Sequence, residues 1–272
     1  MIRIKRFSSK EHKEEEDNSK NKKSKAKIKP SDAAIWGGIL LNLGGRNYFY
    51  RSKNKSDNTK KVYENLKKDF ESKGKKVLDD EDYLVNGKRN ASYLGKRNGN
   101  IKIDKNFKGR ADILAHEMGH EYYGKNKKSL GGILHSDLVG MPSKLLGTTE
   151  ASLLIGLHSG YKKRKAEENG KKESKWNKYK PIIVPGLAMA STLGREASAS
   201  YYGYKKLKES GADKDTLKKA RKNLLAAIGS YAGVGIGNIG VSQVTRNITN
   251  DVMDIYYKYK RKKKQEKENK NK

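Results

Sequence analysis

The segment from His116 to His120, which reads H-E-M-G-H, constrains this chain more than any other feature of its sequence. Residues four apart lie on the same face of a helix, so the imidazoles of His116 and His120 can bind one metal ion together. Glu117 is offset from both and can reach a water molecule beside the metal. The pattern H-E-x-x-H is typical of helices that bind Zn²⁺ for hydrolysis. The fold must therefore supply a helix here and a third ligand from elsewhere.

Two histidines four residues apart also occur by chance on surface helices, so the surroundings of the motif matter. Ile101 and Ile103 alternate with charged residues, which predicts a half-exposed strand that follows a turn at Asn98-Gly99. The motif helix is then expected from about 109–111 to Gly124. A strand before the motif helix is the order found in zincins, and Gly119 permits a close approach beside the metal. We therefore expect a true zinc site.

The chain is strongly basic, with 62 Lys and Arg against 31 Asp and Glu and a formal charge of +31. Such a field favours anionic surfaces such as nucleic acid or acidic lipid, although a compositional bias of the genome would produce the same charge. The basic residues cluster at the termini and in linkers rather than in one recognition element. Nucleic acid is therefore not favoured as a partner, whereas an anionic membrane surface remains a candidate. With no cysteine and five histidines, a metal site must include carboxylates.

The distribution of charge divides the chain into three parts. Residues 1–30 contain almost nothing to bury and predict a disordered charged arm, without the apolar segment of a secretory signal peptide. Residues 31–255 form the expected domain, interrupted by a charged linker at 162–180 that we interpret as a loop. Residues 256–272 form a lysine-rich tail that we expect to fray.

Helices are predicted at 59–73 and from about Thr216, with Asp215 as the cap. The stretch Leu224–Val244 carries no charge but is rich in glycine, and Gly233 and Gly237 form a small-residue pair of the kind found where helices pack closely. It is either a membrane span or a tightly packed buried helix. A membrane-associated and a cytoplasmic location are both left open.

The third metal ligand is not defined by the motif. The arrangement H-E-x-x-H-x-x-G-x-x-H is absent, since position 126 is Asn126. The downstream candidates are His135, Asp137, Glu150, His158 and Glu196. A carboxylate is the better expectation, and from the residues alone the choice between Glu150 and Glu196 is close to even.

Two further stretches carry a resemblance to a known family. The motif segment, the run Glu196-Ala197-Ser198-Ala199-Ser200 and the segment TLKKARKNLLAAIGSYAG together resemble the neutral zinc metallopeptidase family of bacterial membrane proteins. That family is similar, more distantly, to the gluzincin clan of membrane prenyl-protein and heat-shock proteases. The resemblance implies that Glu196 of an E-x-x-A-S motif completes the zinc site. Ser200 stands where the distant clan has an aspartate, and it could hydrogen-bond a metal ligand.

The sequence thus predicts a mainly α fold with a small β element and a zincin-like (gluzincin) metallopeptidase core. The expected function is zinc-dependent hydrolysis of peptide bonds in a protein or peptide substrate, with His116, His120 and Glu196 as ligands and Glu117 as the general base. The alternative is a non-catalytic basic protein that keeps the scaffold and binds nucleic acid or a membrane surface. For the group that stabilises the oxyanion, His135, His158, Tyr201 and Tyr231 remain open.

Overall fold

The computed structural model describes residues 29–52, 56–85, 87–95 and 99–270, and these are mainly helical with a few short strands, as predicted. The predicted arm falls outside the described residues up to residue 28. The helices are α1 (Pro30–Arg51), α2 (Asp57–Glu71), α3 (Ala111–Lys125), α4 (Leu130–His135), α5 (Asp137–Leu146), α6 (Thr149–Glu168), α7 (Lys175–Glu209) and α8 (Lys214–Lys270). A short 3₁₀ helix spans Lys105–Phe107.

A small sheet precedes the motif helix. The strands are β1 (Val77–Leu78), β2 (Leu84–Val85), β3 (Lys88–Arg89), β4 (Ala91–Tyr93) and β5 (Ile101–Ile103). β5 is the central strand of a three-stranded sheet, parallel to β1 and antiparallel to β4, while β2 and β3 form a separate hairpin. Ile101 and Ile103 are buried and Lys102 is half-exposed, so the predicted alternation is confirmed. Of the predicted turn, Asn98 lies outside the described residues, and Gly99 has a left-handed φ of 70°.

The hydrophobic core lies between this sheet, α2 and α3. Val62, Leu66 and Phe70 of α2 recur every four residues and are all buried, as their spacing predicts. They belong to one cluster with the buried strand residues and with Leu114 and Met118 of α3. This core holds the apolar face of the motif helix against the sheet.

The remaining helices form a bundle around the long helix α8. α8 packs along α1, α6 and α7. Its approach to α1 is so close that a Cβ on Gly38 would lie 2.6 Å from the backbone nitrogen of Gly237 and would also meet Gly233. The small-residue pair predicted from sequence therefore does mark a close helix contact.

Two charged segments that we expected to be irregular are largely helical. α6 continues to Glu168 and α7 begins at Lys175, so the predicted loop at 162–180 is confined to residues 169–174. α8 likewise continues to Lys270 instead of fraying after residue 256. Lys, Glu, Arg and Gln are good helix formers, which explains why charge alone did not break the helices. Ion pairs also connect them: Arg164 lies 2.8 Å from Asp254.

One predicted helix cap is also wrong. Glu196 lies in the interior of α7, which begins at Lys175. At the start of α8 the backbone N–H of Thr216 donates to the side chain of Asp213 at 2.7 Å, so Asp213, not Asp215, is the cap.

Helix α8 is also the one helix in the described part of the chain that is long and apolar enough to cross a membrane. Its most apolar 18-residue window has a mean hydropathy of 1.5, and only 28% of that window is buried. Beside it, α1 exposes Trp36 (65%) and Leu40 (70%). The helical bundle therefore presents apolar side chains on its surface, and α8 could either span a membrane or pack as a helix of a soluble bundle.

Candidate metal centre

The candidate centre lies where α3 crosses α7. Backbone contact sets the crossing: a Cβ on Gly119 would lie 2.7 Å from the Cα of Ala199. One on Gly203 would lie 2.8 Å from the backbone of Ala115. The small residues at these positions bring the helix axes close enough for short side chains to meet. The close approach expected at Gly119 is therefore present, and it is made to α7.

Three side chains from the two helices converge at this crossing. The Nε2 atoms of His116 and His120 are 3.1 Å apart. Oε2 of Glu196 lies 3.2 Å from the first and 3.3 Å from the second. All three ligand atoms lie within 4.8 Å of one another. The structure thus brings Glu196 next to the two histidines, as the sequence analysis expected.

The dimensions of this triangle fit a tetrahedral metal ion. With metal–ligand distances of about 2.0–2.1 Å, two ligands of tetrahedral zinc are separated by about 3.3–3.4 Å. The three observed edges of 3.1, 3.2 and 3.3 Å are close to this value. Two imidazoles and one carboxylate are also the donor set of many catalytic zinc sites, which leave a fourth position open. The residues therefore fit zinc in both chemistry and spacing.

The electrostatics of the triangle favour a cation. The side chains are largely buried, with exposed fractions of 13% for His116, 17% for His120 and 8% for Glu196. Burial raises the pKa of the Glu196 carboxyl, but its interactions with the two histidines outweigh burial and hold this pKa well below its usual range. Burial lowers the pKa of His116, yet the hydrogen bond with Glu196 and the nearby carboxylates raise it above its ordinary value. The carboxylates thus attract positive charge to this point.

The other nitrogen of each metal-facing histidine also has a partner. Nδ1 of His116 lies 3.1 Å from the hydroxyl of Ser200, so the expected contact between Ser200 and a ligand is present. Nδ1 of His120 lies 2.9 Å from Nε2 of His135. Such contacts orient the imidazole rings.

Glu117 is not one of the three residues of the triangle. Its Oε2 accepts a hydrogen bond of 2.9 Å from the backbone N–H of Tyr93, at the end of strand β4. Its side chain and that of His116 line a cavity of about 330 Å³, which is also walled by Tyr50, Tyr231 and other side chains from α1 and α8. A volume of this size is typical of small ligand pockets, about 300–1,000 Å³. Glu117 therefore lies beside His116 at the wall of a space that a substrate could enter.

The remaining sequence candidates lie elsewhere. Glu150 is exposed in the first turn of α6, and Asp137 is exposed in the first turn of α5, so neither belongs to the triangle. His158 is exposed, and its Nδ1 lies 2.5 Å from Lys180. Tyr201 is 71% exposed. Of the four candidates for oxyanion stabilisation, Tyr231 alone lines the cavity beside Glu117.

A buried ion pair supports the start of the motif helix, and sequence reasoning missed it. The guanidinium of Arg110 donates to Asp112 at 2.7 Å, and both side chains are almost fully buried. The amide of Asn223 on α8 donates to the same carboxylate at 2.8 Å. Asp112 lies one turn before His116 on the same face of α3, and this spacing was the available signal. The pair ties α8 to the motif helix.

No family model matches this chain, and searches of the curated proteins and of the solved structures found no match to it. The resemblance to zinc metallopeptidases therefore stays a prediction from sequence, and the functional argument depends on the site itself.

Proposed function

We propose that this protein is a zinc-dependent metallopeptidase with a zincin-like core, in which His116, His120 and Glu196 bind the metal and Glu117 is the general base. The observation that carries the proposal is the triangle of ligand atoms with edges of 3.1, 3.2 and 3.3 Å beside a carboxylate that faces a cavity. Zinc, when bound, would polarise the substrate carbonyl and lower the pKa of water to about 7.

The protein residues would perform the proton transfers. Glu117 would accept a proton from the attacking water and return it to the leaving amine, which is the ordinary cycle of a general base that becomes a general acid. The N–H of Tyr93 holds the Glu117 carboxylate at the wall of the cavity. Ser200 would hold the ring of His116 in the orientation that directs Nε2 to the metal.

The sheet supports a peptide as the substrate. β4 is an edge strand of the three-stranded sheet, and its last residue contacts Glu117. Edge strands can bind an extended peptide as one additional strand through main-chain hydrogen bonds. A peptide aligned in this way would pass beside the proposed base.

Metal content and peptide cleavage, measured together on the same variants, test the proposal. We expect one zinc per wild-type chain, loss of zinc in Glu196→Ala and retention in Glu150→Ala, which removes the rival carboxylate from an exposed position. Glu117→Gln should keep zinc but lose about 10²–10⁴-fold in cleavage of quenched fluorescent peptides. A zinc-loaded Glu117→Gln protein as active as the wild type would refute the mechanism. Stoichiometric zinc without cleavage in the wild type would favour the non-catalytic alternative.

We further propose that the helical bundle associates with a membrane. From Asn223 to Thr245 α8 carries no charge, a length of about 35 Å against about 30 Å for the hydrocarbon core of a bilayer. Arg221 and Lys222 flank it on one side and Arg246 on the other. The low burial of this stretch supports lipid contact rather than a protein core. We expect the protein to float with phosphatidylglycerol vesicles, and its recovery in the soluble fraction without lipid or detergent would contradict the proposal.

A further inference from the structure

His135 contacts the candidate metal centre without belonging to the triangle of ligands. It is the last residue of α4, a six-residue helix that follows the motif helix after a short connection. Its Nε2 lies 2.9 Å from Nδ1 of His120, and its Nδ1 lies 2.7 Å from the carbonyl oxygen of Gly131. The ring therefore bridges a metal-facing histidine and the backbone of α4.

These two contacts determine where the protons lie. A carbonyl oxygen only accepts hydrogen bonds, so Nδ1 of His135 carries the proton that it donates to Gly131. The Nε2 of a neutral His135 then accepts, and the donor is the Nδ1–H of His120. That tautomer leaves the lone pair of His120 on Nε2, the atom that lies 3.1 Å from His116 and 3.3 Å from Glu196. This proton arrangement satisfies both contacts of His135 and leaves His120 with the lone pair that a metal ion requires.

The local sequence holds the His135 ring in this position. The ring stacks on Tyr123 with centroids 5.7 Å apart and an angle of 22° between the planes. Gly131 and Gly132 let α4 turn back tightly, because a Cβ on Gly131 would meet the Tyr123 ring and one on Gly132 would overlap the backbone of Asn126. α4 therefore returns the chain to the motif helix and places one imidazole there.

We propose that His135 is a positioning residue for the metal centre, which fixes the tautomer and ring orientation of His120 through an acceptor nitrogen. This inference rests on the proposed zinc site, and it gives His135 a role different from that of a ligand or an oxyanion donor. The position that a carboxylate or carbonyl occupies behind many zinc-bound histidines is here occupied by a second imidazole, itself oriented by the Gly131 carbonyl. Ser200 occupies the corresponding position behind the other metal-facing histidine, since its hydroxyl lies 3.1 Å from Nδ1 of His116.

The test compares zinc dissociation constants, measured by competition with a chelator, for the full-length protein and its variants. His135→Phe keeps an aromatic ring against Tyr123 but removes the acceptor, and we expect zinc binding to weaken about 10–100-fold. His135→Gln offers an amide oxygen in its place and should recover part of the loss. His158→Phe changes an exposed histidine far along the chain and should leave the constant unchanged.

The outcomes separate this inference from the proposed function. If His135→Phe binds zinc as tightly as the wild type while Glu196→Ala does not bind it, the role of His135 is refuted and the zinc site stands. If the wild type binds no zinc, both the proposed zinc site and the role of His135 are refuted. Should His135→Phe fail to fold, long-range ¹⁵N NMR of the zinc-loaded wild type decides: protonated Nδ1 atoms on His120 and His135 support the inference, and a proton on Nε2 of His135 refutes it.

Discussion

Replacing Gly119 by alanine tests whether the spacing between α3 and α7 determines the metal site. A Cβ at this position would lie 2.7 Å from the Cα of Ala199, whereas two carbon atoms in contact prefer about 3.5–4.0 Å. The backbone of α7 would therefore have to retreat by about 1 Å. Glu196 lies on α7 one turn before this contact and would move with it.

The expected loss is in zinc binding more than in stability. Overpacking costs about 1–3 kcal/mol, but alanine regains up to about 1 kcal/mol of helix propensity over glycine, so the net free energy of unfolding falls by about 0–2 kcal/mol. Metal sites tolerate only about 0.2 Å in ligand distance. A displacement of Glu196 by about 1 Å should therefore weaken zinc binding by at least about tenfold, even in a protein that remains folded.

Gly124→Ala is the matched control, because it makes the same substitution five residues further along α3, on a different face of the helix. The nearest atom to a Cβ there is on Tyr93 at 4.0 Å, an ordinary contact distance. This variant should gain up to about 1 kcal/mol from helix propensity and keep its zinc affinity. Chelator competition and chemical denaturation of both variants provide the two readouts. Equal zinc affinity in Gly119→Ala and Gly124→Ala would show that the helix crossing does not set the ligand geometry.

Three further predictions concern the cavity, the pH dependence and the membrane. Tyr231→Phe should reduce kcat about 10²–10³-fold with zinc content unchanged if this hydroxyl stabilises the oxyanion, whereas Tyr201→Phe should have no effect. Because its pKa is raised, His116 stabilises the metal-free fold below pH ~6.5 and loses this contribution as the pH rises through the folded-state pKa. Zinc competes with the same proton, so its affinity, measured by chelator competition, should rise over that range; a flat profile would contradict this. Finally, brominated lipids should quench Trp36 in Trp176→Phe more strongly than Trp176 in Trp36→Phe, and equal quenching would argue against burial of α1 in lipid.

Local patterns in the sequence were sufficient to predict most of the elements around the site. The four-residue spacing of Val62, Leu66 and Phe70 predicted α2, and the alternation at Ile101 and Ile103 predicted the central strand, because each pattern reports directly on one buried face. The loop predicted for the charged run at 162–180 was wrong because most of its residues are good helix formers that lie on a solvated helix face. Charge by itself does not distinguish an exposed helix from a loop.

The third ligand was harder to predict because it depends on how two helices cross. Spacing along the chain left Glu150 and Glu196 nearly equal, and the preference for Glu196 came from a resemblance. In the structure, Glu196, Ala199, Ser200 and Gly203 lie on one face of α7 and are all buried. Their spacing of three and four residues is a helical stripe, but it carries little hydrophobicity and so gives no amphipathic signal. The role of His135 was likewise hidden, since it requires the reversal of the chain at α4.

The buried face of α7 is weakly hydrophobic because its residues are small, and the proposed metal site needs these small residues. Larger apolar residues at 119, 199 and 203 would bury more surface, but they would separate the helices beyond the reach of a glutamate. The short backbone contacts at Gly119 and Gly203 are what allow a single carboxylate to come within 3.3 Å of both imidazoles. Outside the crossing, the motif helix is held by the core under α3 and by the buried Arg110–Asp112 pair, which Asn223 joins from α8. The geometry of the metal centre thus depends on the close backbone contact between α3 and α7, and the surrounding helices hold these two helices in place.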